Sequence, residues 1–162
     1  MKIIEKSYVV TRFEDMLDKE SNSLLYNLNV AIIWETWKGK TALLKDIAIN
    51  LVNSPEEQEI IIVDSFDNYK DLEWKVKILN INEGNKEDIL NEVSTRSEKW
   101  FKTVLIDEAH NFLGKSEDLD KKFDKMIRES RNKKIRYIVA VQNKKDIPGN
   151  LIDIFRTIIE LD

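Results

Sequence analysis

Gly39, Lys40 and Thr41 could grip a phosphate chain. They follow the apolar run Val30-Ala31-Ile32-Ile33 and open a segment, residues 42–51, whose apolar positions recur with helical period. This is the second half of the phosphate-binding pattern G-x-x-x-x-G-K-[ST], in which backbone N–H groups and a helix N-terminus cradle phosphates. A lysine there meets the β- and γ-phosphates, and a threonine hydroxyl beside it holds Mg²⁺. The nucleotide-binding candidates are therefore Trp34, Glu35, Thr36, Trp37, Lys38, Gly39, Lys40, Thr41 and Ala42, with Thr41 also a metal ligand. Trp34 departs from the pattern, because it stands where the first glycine belongs and lacks that residue's backbone freedom. The plain alternative is a Gly-Lys-Thr that merely opens a helix.

A second group lies downstream. Thr103-Val104-Leu105-Ile106-Asp107-Glu108-Ala109-His110 reads as an apolar strand ending in two adjacent carboxylates. Asp107 at the strand tip suits a Mg²⁺ coordination sphere, and Glu108 suits polarisation of an attacking water. By itself this could be an acidic turn, but a Gly39-Lys40-Thr41 loop upstream favours the catalytic reading. A third strand, residues 136–141, ends at Gln142-Asn143. An amide at a strand tip commonly caps a turn; beside two phosphate motifs, Gln142 becomes a candidate γ-phosphate sensor.

The elements that must position these groups alternate between strand and helix. Residues 2–10 are β-rich, and Thr11-Arg12-Phe13-Glu14 matches a capping box opening a short helix with Phe13, Met16 and Leu17 buried. The core strands fall at 30–33, 59–64, 75–81, 103–106, 136–141 and 156–161. Helices are expected at 42–51, from Asn85 to about Trp100 and from Ser116 to about Ser130, with a helix or turn at 150–155. The chain reads as a single domain, with residues 1–28 an N-terminal extension and 29–162 the core. The expected class is α/β: a three-layer, mostly parallel sheet with helices on both faces, whose ligands bind at the carboxyl ends of strands.

Composition excludes several other chemistries. With no cysteine and one histidine, thiolate or imidazole metal cages are unsupported, so any metal should be oxygen-bound. Apolar residues at 42% and charged residues at 35% describe a globular domain with a charged surface. No signal peptide or membrane-length apolar run is read, so a cytoplasmic location is expected. The net charge of −4 conceals a basic run from Lys121 to Lys145, which either meets an anionic partner or is a solvated face.

In order and content, these motifs resemble the HerA/FtsK branch of P-loop ATPases, over roughly Asn29 to the C-terminus. The resemblance rests on Trp34 to Thr41, on Ile60-Ile61-Ile62-Val63-Asp64, on Leu105 to His110, and on Arg131 followed by Ile138-Val139-Ala140-Val141-Gln142-Asn143. It implies a RecA-like domain that binds ATP and Mg²⁺. Catalysis would fall to Glu108, Gln142 and Arg131, metal binding to Thr41 and Asp107, and Arg131 would reach a neighbour's site. It further implies a homo-oligomeric ring, usually a hexamer, that moves double-stranded DNA, as in viral or plasmid DNA packaging, with a membrane or capsid partner. Two other readings compete. One is a degenerate assembly subunit that holds nucleotide weakly. The other is a helicase, since Asp107-Glu108-Ala109-His110 spells a DEAH box, although the chain leaves no room for a second RecA-like lobe.

Overall fold

The computed structural model describes residues 2–5, 29–34, 39–55, 57–155 and 157–161. Its seven strands are β1 (Lys2–Glu5), β2 (Val30–Trp34), β3 (Gln58–Asp64), β4 (Lys77–Asn80), β5 (Phe101–Ile106), β6 (Ile135–Val141) and β7 (Thr157–Leu161). They form one sheet in the order β1-β7-β2-β6-β5-β3-β4. All adjacent pairs are parallel except β1 with β7. Four helices are described: α1 (Lys40–Asn53), α2 (Lys86–Ser94), α3 (Glu117–Glu129) and α4 (Gly149–Ile152).

Two faces must be covered, and the strands read as continuous apolar runs because both are. Alternate residues serve each face. Val30 and Ile32 pack with Leu44, Ile47, Ala48 and Leu51 of α1. Ala31 and Ile33 face the other way, into a core with Val93 of α2 and Phe123, Met126 and Ile127 of α3. Asn85 caps α2 by accepting from the Glu87 N–H at 2.9 Å, and Ser116 caps α3 by accepting from that of Leu119 at 3.2 Å.

Topology decides where the chemistry falls. β6 is inserted between β2 and β5, with Ile33 opposite Val141 and Ile106 opposite Val139. The carboxyl tips of the three strands that carry Trp34, Gln142 and Asp107 are thereby neighbours.

Several boundaries differ from the sequence reading. α2 stops at Ser94 rather than near Trp100, because Thr95 is extended and the hydroxyls of Ser94 and Thr95 both turn back onto the Asn91 carbonyl. Trp100 is consequently 62% exposed instead of joining the helix's apolar stripe. β5 begins at Phe101, earlier than expected, and β4 is confined to Lys77–Asn80. In the β-rich start only Lys2–Glu5 is a described strand. The helix expected from Thr11 and loop residues Glu35, Thr36, Trp37 and Lys38 lie outside the described residues.

Candidate active site

α1 begins at Lys40, and Gly39 precedes it with φ 97°. That dihedral favours glycine, and a Cβ at Gly39 would also lie 3.3 Å from Cη2 and Cζ2 of the Trp34 ring. Thus the tryptophan at the departed position lays its indole against the glycine the motif retains. Among the described residues no side chain caps α1 and its first turn holds no acid, so there the helix opens with its positive end uncapped. Thr41 and Ala42 are exposed at this opening, whereas Lys40 is buried.

Lys40 crosses from α1 to the tip of β5. Its ammonium bonds the Glu108 carboxylate and lies 3.4 Å from Asp107 Oδ1. On the other side of Glu108, Gln142 Nε2 donates to Oε2 at 3.2 Å. Residues separated by about a hundred positions in sequence therefore converge on one carboxylate. Glu108 itself has φ 57°, a left-handed conformation that costs a non-glycine residue about 1 kcal/mol or more. The turn keeps that conformation and aims the side chain back over the strand ends.

Asp107 is more deeply placed. Burial pushes its carboxyl above the ordinary aspartate range, against the opposing pull of Lys40. Tyr69 donates its hydroxyl to Oδ2 at 3.1 Å and is itself fully buried, which together with the Asp107 charge drives the phenol far upward and keeps it a donor. Asp107 Oδ1 is buried without an aligned hydrogen bond. An oxygen in that condition fits a hard cation. Among the described residues no cluster of three or more acidic, imidazole or thiolate groups forms a ready cage. Mg²⁺ in such a place would rest on Asp107 and Thr41 together with phosphate oxygens and water.

The remaining candidates separate. Asp64 ends β3 but is committed to its own turn, accepting from the N–H groups of Ser65, Phe66 and Asn68 at 2.7, 3.1 and 2.7 Å. Those three backbone bonds occupy it within the turn. Arg131 is exposed in the turn between α3 and β6, at the amino edge of the sheet, away from the carboxyl ends where ligands of such sheets bind. β6 runs the full depth of the sheet between Arg131 and Gln142, which keeps Arg131 from its own chain's Glu108. Arg136, a sequence neighbour that could have shared its role, is 5% exposed and donates to Thr103 Oγ1 at 3.1 Å. Arg128 is tied to Asp124 at 2.8 Å.

The basic run is also less bare than its sequence. Lys121, Lys122, Lys125, Arg128, Lys133 and Lys144 form ion pairs with Glu117, Glu87, Glu129, Asp124, Glu129 and Glu160. Such exposed pairs are weak, about 0–1 kcal/mol each, and do not bar an anionic partner.

Two site residues escaped the sequence reading. The sequence assigns Tyr69 no role, and His110 figures in it only as a letter of the DEAH spelling. Their signal was position: Tyr69 follows β3, which ends at Asp64, and His110 follows β5, which leads into Asp107.

No protein-family model matches the chain. No curated protein sequence matches it either. Solved structures do. The DNA-packaging ATPase B204 of Sulfolobus Turreted Icosahedral Virus superposes with a TM-score of 0.69 at 19% identity, over 83% of this chain and 75% of that one. B204 of Sulfolobus turreted icosahedral virus 2, the genome-packaging NTPase in complex with AMPPCP, gives 0.68 at 16%, over 84% and 75%. EssC (ATPases 2 and 3) of Geobacillus thermodenitrificans gives 0.62 at 14%, over 84% of this chain but only 33% of its own. The fold is that of the RecA-like P-loop ATPases. The structural neighbours are of the FtsK/HerA type that the motifs resemble, and they include both genome-packaging and secretion ATPases.

Proposed function

We propose that this chain hydrolyses ATP as one subunit of a ring motor that moves double-stranded DNA. The observation that carries the reading is the convergence of Lys40, Asp107, Glu108 and Gln142 at adjacent strand tips beside an uncapped helix N-terminus. This is the arrangement phosphoryl transfer needs, since that reaction depends on positioning and charge stabilisation.

In this reading the phosphates take Lys40 away from Glu108 and lie at the start of α1. Thr41 and Asp107 would hold Mg²⁺, which would supply positive charge against the negative charge of the phosphates. Glu108 then accepts a proton from the water that attacks the γ-phosphorus, and the bond to the β-phosphate oxygen breaks, releasing ADP and phosphate. Gln142, already bonded to Glu108, senses the γ-phosphate through that contact. Arg131 serves the adjoining subunit, because its own site is at the far edge of the sheet, and a closed ring, hexameric by resemblance, would bring the two edges together.

DNA as cargo is supported by the packaging ATPases among the neighbours and by Arg131, Lys134 and Lys145, which form no ion pair among the described residues. ATP hydrolysis with and without double-stranded DNA tests the proposal. Stimulation by DNA is expected; turnover indifferent to DNA removes the cargo while leaving the ATPase. A second reading, an assembly subunit with weak nucleotide binding, draws on Trp34. Trp34→Gly separates the two: a gain in ATP affinity and turnover on substitution supports a loop obstructed by the indole, and an unchanged or lower affinity supports a working one.

A further inference from the structure

Three groups reach the Glu108 carboxylate, and they do not share it evenly. Lys40 takes Oε1, whereas Gln142 Nε2 and His110 Nδ1 both lie on Oε2, at 3.2 and 3.1 Å. The His110 contact is within reach but not aligned, and Nδ1 is a buried nitrogen with no hydrogen-bond partner. Such an atom is costly unless another state of the protein satisfies it. Burial lowers the proton affinity of the imidazole, Lys40 and Lys115 act in the same direction, and Asp146 and Asp107 oppose them. A neutral imidazole carries one proton, which can sit on Nδ1 and be given to Oε2.

From this we infer that His110 is a positioning residue for Glu108: with Gln142 it clamps Oε2, leaving Oε1, the oxygen Lys40 vacates for phosphate, as the one that takes the proton from water. The inference rests on the ATPase reading for its last step, but the contact itself does not. When Lys40 leaves, Glu108 loses its cationic partner and would otherwise be free to rotate. Two donors on a single oxygen restrict that rotation and fill the bond that Nδ1 lacks. A misplacement of the base by a fraction of its own length costs rate without weakening substrate binding.

The chain has one histidine, so its imidazole is observed without ambiguity. In ¹⁵N-histidine protein without ligand, long-range ¹H–¹⁵N spectra at neutral pH should show the Nδ1–H tautomer, with an Nδ1 shift that moves in Glu108→Gln. The Nε2–H tautomer, or a shift indifferent to that substitution, overturns the inference whether or not ATP is hydrolysed. In turnover, His110→Ala should lower kcat on the order of ten- to a hundredfold with the Kd for ATP unchanged. His110→Asn, whose amide N–H replaces the Nδ1 donor, should recover most of the loss. Wild-type kcat in His110→Ala, or equal losses in both variants, overturns it. Absence of any turnover in the wild type, or wild-type turnover in Glu108→Gln, instead counts against the ATPase reading.

Discussion

Charge is buried at both edges of the sheet, but on different terms. At the amino edge Lys102 donates to the Thr95 carbonyl at 2.5 Å and lies 3.9 Å from Glu59, while Ser97 binds Glu59 and Thr103 binds Gln58. Arg136 closes this network on Thr103. These groups are occupied by fixed neighbours across the strands. At the carboxyl edge Lys40, Asp107, Glu108 and Gln142 face one another, and Asp107 Oδ1 and His110 Nδ1 are left without hydrogen bonds. A missing hydrogen bond does not by itself mark the working edge, since Thr157 Oγ1 at the amino edge is also buried without one among the described residues. What sets the carboxyl edge apart is that Lys40, Asp107, Glu108 and Gln142 converge beside the opening of α1.

Arg131 belongs to the amino edge yet is proposed to serve a neighbour's reaction, so the largest effect is expected there. Arg131→Ala should cost about a thousandfold in kcat, the scale of an arginine finger acting in trans. Mixed with Glu108→Gln protein it should regain activity, since some interfaces then pair an intact Arg131 with an intact Glu108. No recovery, with both variants shown to assemble, would end the trans assignment.

Next come two buried lysines given the same substitution. Lys102→Met should preserve nucleotide binding and hold or raise the melting temperature, because burial already lowers that ammonium's proton affinity and an apolar chain of similar volume is often neutral or better. Lys40→Met should lose at least about a hundredfold in ATP affinity, by calorimetry, as a charged contact worth about 3 kcal/mol disappears. Equal effects at both positions would erase the distinction between the edges.

A smaller effect is expected at Asp107. Its ionised form is disfavoured by burial, so Asp107→Asn should melt no lower than wild type without ligand, and by about 1 kcal/mol, roughly 2–4 °C, higher. The same variant should lose Mg²⁺-dependent stabilisation by ATP. A large drop in melting temperature would make Asp107 a structural residue.

The least effect concerns pH. The His110 pKa is depressed in the folded state, so its contribution to stability is present above the unfolded value near 6.5 and is lost as pH falls through the folded one. Denaturation midpoints should therefore fall with acidification below about 6.5, and His110→Asn should flatten that slope. A slope unchanged by the substitution would assign it elsewhere.

Much of this was legible because it is local. Apolar runs marked both-face strands, Gly39-Lys40-Thr41 marked the helix mouth, and Asp107-Glu108 marked a strand tip. Pairing across the sheet was not legible: nothing in the chain order says that β6 enters between β2 and β5, yet that insertion brings Gln142 to Glu108. The turn that Asp64 closes was not legible, because the three N–H groups it accepts from are backbone groups, invisible in side-chain identities. Arg136 looked like a surface cation because its burial depends on Thr103 in the adjacent strand. Trp100 fitted a helical stripe that the hydroxyls at Ser94 and Thr95 cut short.

Whether the carboxyl edge hydrolyses ATP is decided by Glu108→Gln. The amide keeps the shape of the side chain and can still hydrogen-bond water but cannot take its proton. Measured side by side by calorimetry and phosphate release, the variant should bind Mg-ATP as the wild type does and turn it over at least about a hundredfold more slowly. Wild-type release of phosphate from Glu108→Gln would contradict the account.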